Sequence, residues 1–405
     1  MPPAKLKKVR MAVVGLGVMG HEHAQSIASL GGPDLALAAV VDANSTVAQR
    51  VGKELSVPWF NDLQALIDAK CADAILIATP HYLHPPLAIR AAQNGLHVLT
   101  EKPLAVEVGP AQAMVAACER HGVALAAMYQ ARMRPAMVRI KQMLDQGELG
   151  KIQQITIVGS TWFRTQAYYN SGGWRGTWSG EGGGVLMNQA PHSLDMLTWL
   201  LGLPQAVTAF LTTRQHTIEV ENTANILCQY PDGAAAYLYF STAEVPRRSQ
   251  LLICGDKATV CFDHDGLRIA RLAVPISQYI RQCPETSADL IPDPAYSWET
   301  IPLQKDQPVL MRQQVVHNFA RHLIDGTPLV ASGKEAALQV ELTGAIYLAG
   351  FGRRIVNLPL DNQAIQEVHD LIERMACANP KAGVSSLRSQ ADREFQSVIR
   401  TPKKP

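Results

Sequence analysis

From Met11 to about Gln130, short apolar runs alternate with stretches whose apolar residues recur at helical spacing. MAVVG, LALAAVVD, AILIAT, HVLTE and VALAAMY read as strands, and Thr46–Leu55, Leu87–Asn94 and Ala111–Arg120 between them read as helices. Strands that alternate with helices predict parallel βαβ units, and so a doubly wound α/β sheet over residues 6–130.

After a helical stretch at Pro135–Gln146, closed by Gly147 and Gly150, the pattern changes to longer alternating strands. KIQQITIVGSTWF, QAVTAFLTTR, ANILCQY, AAYLYFSTA, SQLLICG and TVCFDH, with a hairpin signal at Pro231–Gly233, predict a large, mostly antiparallel open sheet. Helices expected at Val309–Ile324 and Glu335–Arg353 complete an α+β domain over residues 131–378. Residues 379–405 read as a polar, weakly patterned tail that wraps a neighbour or is disordered.

A chain of 405 residues exceeds what one core usually organises, which agrees with two domains. With 47% hydrophobic and 18% charged residues and a net charge of +2, it has the balance of a globular protein and gives no sign of a nucleic-acid partner. No apolar run is long enough for a membrane span, and MPPAKLKKVR lacks a signal-peptide core, so a cytoplasmic location without a membrane partner is expected. Seven cysteines without a CxxC pair fit neither a disulfide framework nor a zinc site, and no metal is expected.

VVGLGVMG sets Gly15, Gly17 and Gly20 as GxGxxG, with Val18 and Met19 between the last two, where a strand meets a helix. The first glycine allows a tight turn, the second lets the backbone approach a pyrophosphate, and the third packs helix on strand. Asp42 ends the next strand, about twenty residues on, where a carboxylate accepts from ribose hydroxyls and repels a 2′-phosphate. The expected cofactor is therefore NAD in preference to NADP. ATPHYLHPPL brings Thr79 and His84, and secondarily His81, to a strand's carboxyl end, and Glu101 and Lys102 end the HVLTE strand at the same edge. His21 and His23 are expected on the surface of the helix after the glycine motif.

GEGGGVLMNQAPHSLDML places Asn188, His192 and Asp195 within about 60° of one another if the helix is continuous, although Pro191 marks a point where regular helix can begin. On periodicity alone this stripe is either a solvated face or a reactive one.

The glycine fingerprint, the EKP at Glu101–Pro103 and GGGVLMNQAPHSLD at Gly182–Asp195 together resemble the glucose–fructose oxidoreductase, inositol dehydrogenase and rhizopine catabolism (Gfo/Idh/MocA) family, over about Val9 to Leu360. The resemblance implies that Lys102 and His192 flank the nicotinamide as catalytic residues, with Asp195 in support. It departs at Asn188, where many inositol dehydrogenase-like members have an aspartate; an amide can only orient the imidazole or bind a substrate hydroxyl. Oxidation of a secondary alcohol needs a proton acceptor and a group that stabilises charge on the oxygen. Histidine and lysine serve either role, and the sequence leaves their assignment open.

Trp162, Arg164, Tyr168, Tyr169, Trp174, Arg175 and Trp178 crowd the loop before that segment. Aromatic faces with interleaved arginines suit a polyhydroxylated ring, a reading favoured over sheet packing or an oligomer contact, and Arg132 or Arg134 is expected to join them or else to cap the following helix. Convergence of several arginines would make the substrate acidic.

These readings converge on an NAD-dependent dehydrogenase of a ring-borne secondary alcohol, on a sugar or cyclitol, assembled as a homodimer or homotetramer through the open sheet. Three alternatives remain: a cis-dihydrodiol dehydrogenase of aromatic-acid catabolism, a glycosidase that uses NAD in transient redox, and a non-catalytic nucleotide sensor.

Overall fold

The computed structural model describes residues 6–30, 32–302, 306–378 and 385–399. Its first sheet is parallel and holds β1 (Val9–Val14), β2 (Leu35–Val41), β3 (Trp59–Phe60), β4 (Ala74–Ile77), β5 (His97–Thr100) and β6 (Leu125–Ala127) in the order β3-β2-β1-β4-β5-β6. This Rossmann order reverses between β1 and β4 and opens a crevice at the strands' carboxyl ends. Val13, Ile75, Leu76 and Val98 are fully buried, because helices cover both faces; hence the unbroken apolar runs.

The helices of this half start earlier than their periodicity indicates. Ser45–Leu55 is capped by the Asn44 side chain, which accepts from Thr46 N and Val47 N. His84–Gln93 has two prolines in its first turn, where the missing N–H groups cost nothing, and the third helix runs Val108–Arg120.

The second sheet comprises β7 (Ile152–Gly159), β8 (Ala206–Thr212), β9 (Thr223–Gln229), β10 (Ala235–Ser241), β11 (Ser249–Gly255), β12 (Ala258–Asp263), β13 (Gly266–Leu272), β14 (Tyr296–Ile301) and β15 (Val356–Asn357). Their order is β14-β13-β12-β11-β7-β10-β9-β8-β15. All pairings are antiparallel except β7 with β10, which run parallel at the centre of the sheet. Val207, Ala209, Ile226 and Cys228 are buried under the helix Gly333–Gly352 and its neighbours, while Phe210 and Leu227 alternate onto the exposed face.

Two segments depart from the expected organisation. The helix foreseen at Val309–Ile324 runs Pro308–Asp325 and packs on the first sheet, where Val315, Val316, Phe319 and Ala320 join Val9, Met11, Val13 and Leu99 in one core. The tail is not weakly patterned throughout: Ser385–Ile399 forms a helix against His84–Gln93. Ala391, Phe395 and Val398 recur at i, i+4 and i+7 and bury its inner side, among charged residues that mask the stripe. Gln93 Nε2 donates to Val398 O over 2.7 Å, and the buried Arg388 reaches Glu107 at 3.4 Å. Residues 379–384 and 400–405 of the tail lie outside the described residues. Among the described residues no helix is long and apolar enough to cross a membrane.

Candidate active site

A cleft of about 1300 Å³ runs along the carboxyl edge of the first sheet and continues between it and the second sheet. Three glycines build its floor in different ways. Gly15 turns with φ +89°, and a Cβ there would stand 2.8 Å from Ala78 O. A Cβ on Gly20 would meet Gly15 O at 1.7 Å, so this residue serves close packing of helix on turn and does not itself line the cleft. Gly17 has nothing within 4 Å of its would-be Cβ and opens to the cleft, beside Val18 and Met19 of the first helical turn. That combination fits a pyrophosphate at a helix N-terminus. Asp42 lines the same cleft, its carboxylate fixed by Leu16 N (2.7 Å) and Asn44 N (2.8 Å).

The two histidines of ATPHYLHPPL exchange their expected places. His84 is fully buried away from the cleft, with Nδ1 and Nε2 each 2.9 Å from a carbonyl, Pro103 O and Thr79 O. It braces the ends of β4 and β5 and offers nothing to a ligand. His81 lines the cleft instead, its Nδ1 2.9 Å from Glu181 O, and burial, with His84 and Lys102 nearby, pushes it down to about 3. Thr79 also lines the cleft, and its buried hydroxyl has no partner.

At the end of β5, Glu101 accepts from Lys102 N (3.1 Å) and pairs with His23 Nε2 (2.7 Å). Burial opposes ionisation of Glu101, but the contact with His23 and the Lys102 charge outweigh it and hold the carboxyl down at about 2. His23 is thus a buried partner and not a helix-surface residue, because its turn of helix faces β5; the half-exposed His21 pairs with Glu54. Lys102 Nζ donates to Asn188 O (2.8 Å) and Oδ1 (3.3 Å), and burial lowers its pKa. The Asn188 amide donates to Glu181, a buried carboxyl raised by desolvation, which also accepts from Gly176 N at 2.7 Å.

Asn188 ends the short helix Val185–Asn188, and His192 lies in the first turn of Pro191–Leu201, so the two do not share one continuous helix. The turn before them is tightly set. Glu221, raised to about 7 by burial, accepts from Gly184 N (3.1 Å), Leu186 N (3.0 Å) and Tyr347 OH (3.2 Å), and a Cβ on Gly184 would collide with Glu221 O at 1.7 Å. His192 lines the cleft with its Nδ1 buried and unpartnered, edge-on to Tyr129 at 5.9 Å. Burial and then Lys102 push its pKa down to about 3, so the imidazole is neutral at physiological pH.

Asp195 and Arg132 do not reach the cleft. Asp195 faces inward and takes Arg132 Nε (2.9 Å) and Nη2 (2.7 Å), while Arg132 Nη1 donates to Val330 O (2.9 Å) and Glu335 (3.1 Å). Burial raises Asp195 to about 6 against the pull of Arg132; the two-point contact keeps the pair ionised at neutral pH. Asp195 therefore holds Arg132 rather than His192. Arg134 does line the cleft, with an ion pair to Asp306 at 3.1 Å.

The aromatic loop enters from the second sheet. Tyr169 is buried with its hydroxyl 2.8 Å from Thr242 Oγ1, and Trp178 is buried against Tyr347; both are packing residues. Trp162, Arg164, Tyr168, Trp174 and Arg175 line the cleft. Glu181 was missed by the sequence reading, since one acid in a glycine run carries no spacing signal. Gln390 and Glu394 of the C-terminal helix were missed too, and they line the cleft beside Leu87 and Arg90.

Residues 9–129 match the model of the oxidoreductase family with an NAD-binding Rossmann fold, and residues 137–261 match the Gfo/Idh/MocA C-terminal domain. A 2,7-anhydro-N-acetylneuraminate hydratase of Mediterraneibacter gnavus is 27% identical over 64% of this chain and 68% of its own. The scyllo-inositol 2-dehydrogenase (NAD+) of Bacillus subtilis is 30% identical over 48% of this chain, and the match spans 54% of that enzyme, about half its length. The WlbA dehydrogenase of Bordetella pertussis, solved with NADH and UDP-GlcNAcA, superposes with a TM-score of 0.72 at 29% identity, covering 87% of this chain and 100% of that one. The chain is an enzyme of the Gfo/Idh/MocA family of NAD-dependent oxidoreductases.

Proposed function

We propose that the protein oxidises a secondary alcohol on the ring of a sugar or cyclitol to a ketone, using NAD in preference to NADP. The observation that carries this reading is the convergence of Lys102 and His192 on the cleft that also contains the open Gly17 and Asp42. The dinucleotide, bound along the glycine turn, supplies the hydride acceptor. Asp42 would accept from the adenosine ribose hydroxyls and repel a 2′-phosphate.

His192 is neutral and its buried Nδ1 has no hydrogen-bond partner, which suits it to take the hydroxyl proton. The Lys102 ammonium, aimed by Asn188, donates to the same oxygen and stabilises its developing charge. Asn188 thus orients the lysine chiefly through its backbone carbonyl, with its amide oxygen at 3.3 Å as a second acceptor. Tyr168 and Trp174 offer ring faces to the substrate. The exposed Phe210 and Leu227 support assembly through the outer face of the second sheet.

The test is NADH absorbance when the purified protein and NAD meet sugars, cyclitols, uronates, glycosides and aromatic cis-dihydrodiols, with product analysis throughout. A ketone formed with stoichiometric NADH supports the proposal. A hydratase among the relatives keeps a second outcome in view: product without net NADH would replace the dehydrogenase by an elimination that returns the cofactor to its starting state.

A further inference from the structure

Two cations in the cleft share one aromatic ring. Arg164 Cζ lies 4.4 Å and Arg175 Cζ 4.8 Å from the Tyr168 ring centre, and each also meets a tryptophan, Trp162 at 5.4 Å and Trp174 at 4.6 Å. The backbone fixes the first of them: Arg164 N donates to Thr242 O over 2.9 Å, and Arg164 O lies 2.9 Å from His216 Nε2. The second is followed directly by Gly176, whose N–H is held by Glu181.

Stacking on an aromatic ring sets the plane of a guanidinium but leaves its N–H edge unused. Both Nε atoms are buried without a hydrogen-bond partner. Glu181 and Glu101, the acids nearest this end of the cleft, hydrogen-bond to Asn188, Gly176 N, His23 and Lys102 N rather than to either arginine, and Glu181 feels the Arg175 charge only at longer range. Two like charges on one ring, beside Lys102, repel one another, and Glu181 offsets only part of that repulsion, which an anion seated between the two arginines would relieve. Buried donors without acceptors impose a further cost that such a ligand removes.

We propose that the substrate is an acidic sugar, whose carboxylate or phosphate is held by Arg164 and Arg175 while its ring presents a hydroxyl to His192 and Lys102. This rests on the dehydrogenase reading for the reacting hydroxyl, but the anion site stands on its own geometry. A charge-assisted, two-point contact is the arrangement for which arginine surpasses lysine.

The experiment is calorimetric titration of the NAD-loaded protein with hexuronates, hexose phosphates and the parent neutral hexoses, with NADH followed in parallel. At least one acid is expected to bind about thirtyfold or more tightly than its neutral parent, the loss typical of truncating one partner of a charged pair. Arg164→Gln and Arg175→Gln should abolish that preference, and Arg175→Lys should restore part of it, with unchanged circular dichroism and an NAD affinity within about twofold of the parent. The better of uronate and phosphate names the anionic group. Equal binding of neutral and acidic sugars, binding of no acid, or an equal loss of NAD affinity in the arginine variants would overturn the inference. Turnover of neutral sugars alone removes the inference and leaves the dehydrogenase; arginine-dependent binding of an acid without NADH does the reverse.

Discussion

Lys102 Nζ stands 2.8 Å from the carbonyl oxygen of Asn188, so the lysine enters the cleft with one donor direction set by backbone. In the proposed reaction the charge, rather than the chain length, is what Lys102 contributes. Lys102→Met should lower turnover about 10²- to 10³-fold while NAD affinity, read by fluorescence titration, changes far less. A parallel loss of both would make Lys102 a cofactor anchor instead.

His192→Ala should cut turnover about 10²- to 10⁴-fold if the imidazole is the proton acceptor. An effect of a few-fold would return His192 to a packing role.

The pH profile follows from burial of that ring. A protonated imidazole cannot accept, so activity falls only as the pH drops through the lowered value near 3, not through the ordinary 6.5. The acid limb of kcat/KM due to His192 should therefore be missing between pH 7 and about 5. A limb at 6.5 that moves in a His192 variant would contradict the buried, neutral imidazole.

Asp195→Asn replaces the two-point carboxylate contact of the buried Arg132 with a neutral amide oxygen and leaves Glu335 as its one ion-pair partner among the described residues. The expected cost is about 3–5 kcal/mol in denaturant unfolding, with turnover per folded molecule nearly unchanged. Lost turnover at full stability would place Asp195 in the chemistry.

Asp42→Ala should weaken NAD about tenfold or more, the scale of hydrogen bonds to a charged group, and weaken NADP less. An unchanged ratio would confine Asp42 to bracing Leu16 N and Asn44 N.

The parts legible in the sequence are those written in short-range spacing. Gly15, Gly17 and Gly20 announce a turn, Asp42 follows at the next strand end, and Lys102 stands just past β5 because apolar runs and their breaks fix where strands stop. What stayed hidden depends on partners far along the chain. Helical spacing set Asp195 beside His192, yet the nearer attraction was Arg132, 63 residues upstream. His23 read as a surface residue because nothing local reveals that its turn faces Glu101, 78 residues away. His81 and His84 stand three residues apart, and only the short helical turn between them decides which enters the cleft and which is sealed beneath it.

The helix Pro308–Asp325 has a consequence for modularity. Its Val315, Val316, Phe319 and Ala320 complete the core under Val9, Met11, Val13 and Leu99, so the nucleotide-binding half borrows one of its layers from the far end of the chain. Cutting after residue 130 would leave that apolar face in water, prone to self-association. Exchange of the nucleotide-binding half between relatives, in evolution or at the bench, has to carry this helix with it. The nucleotide-binding unit is then discontinuous in sequence, although it is contiguous in space.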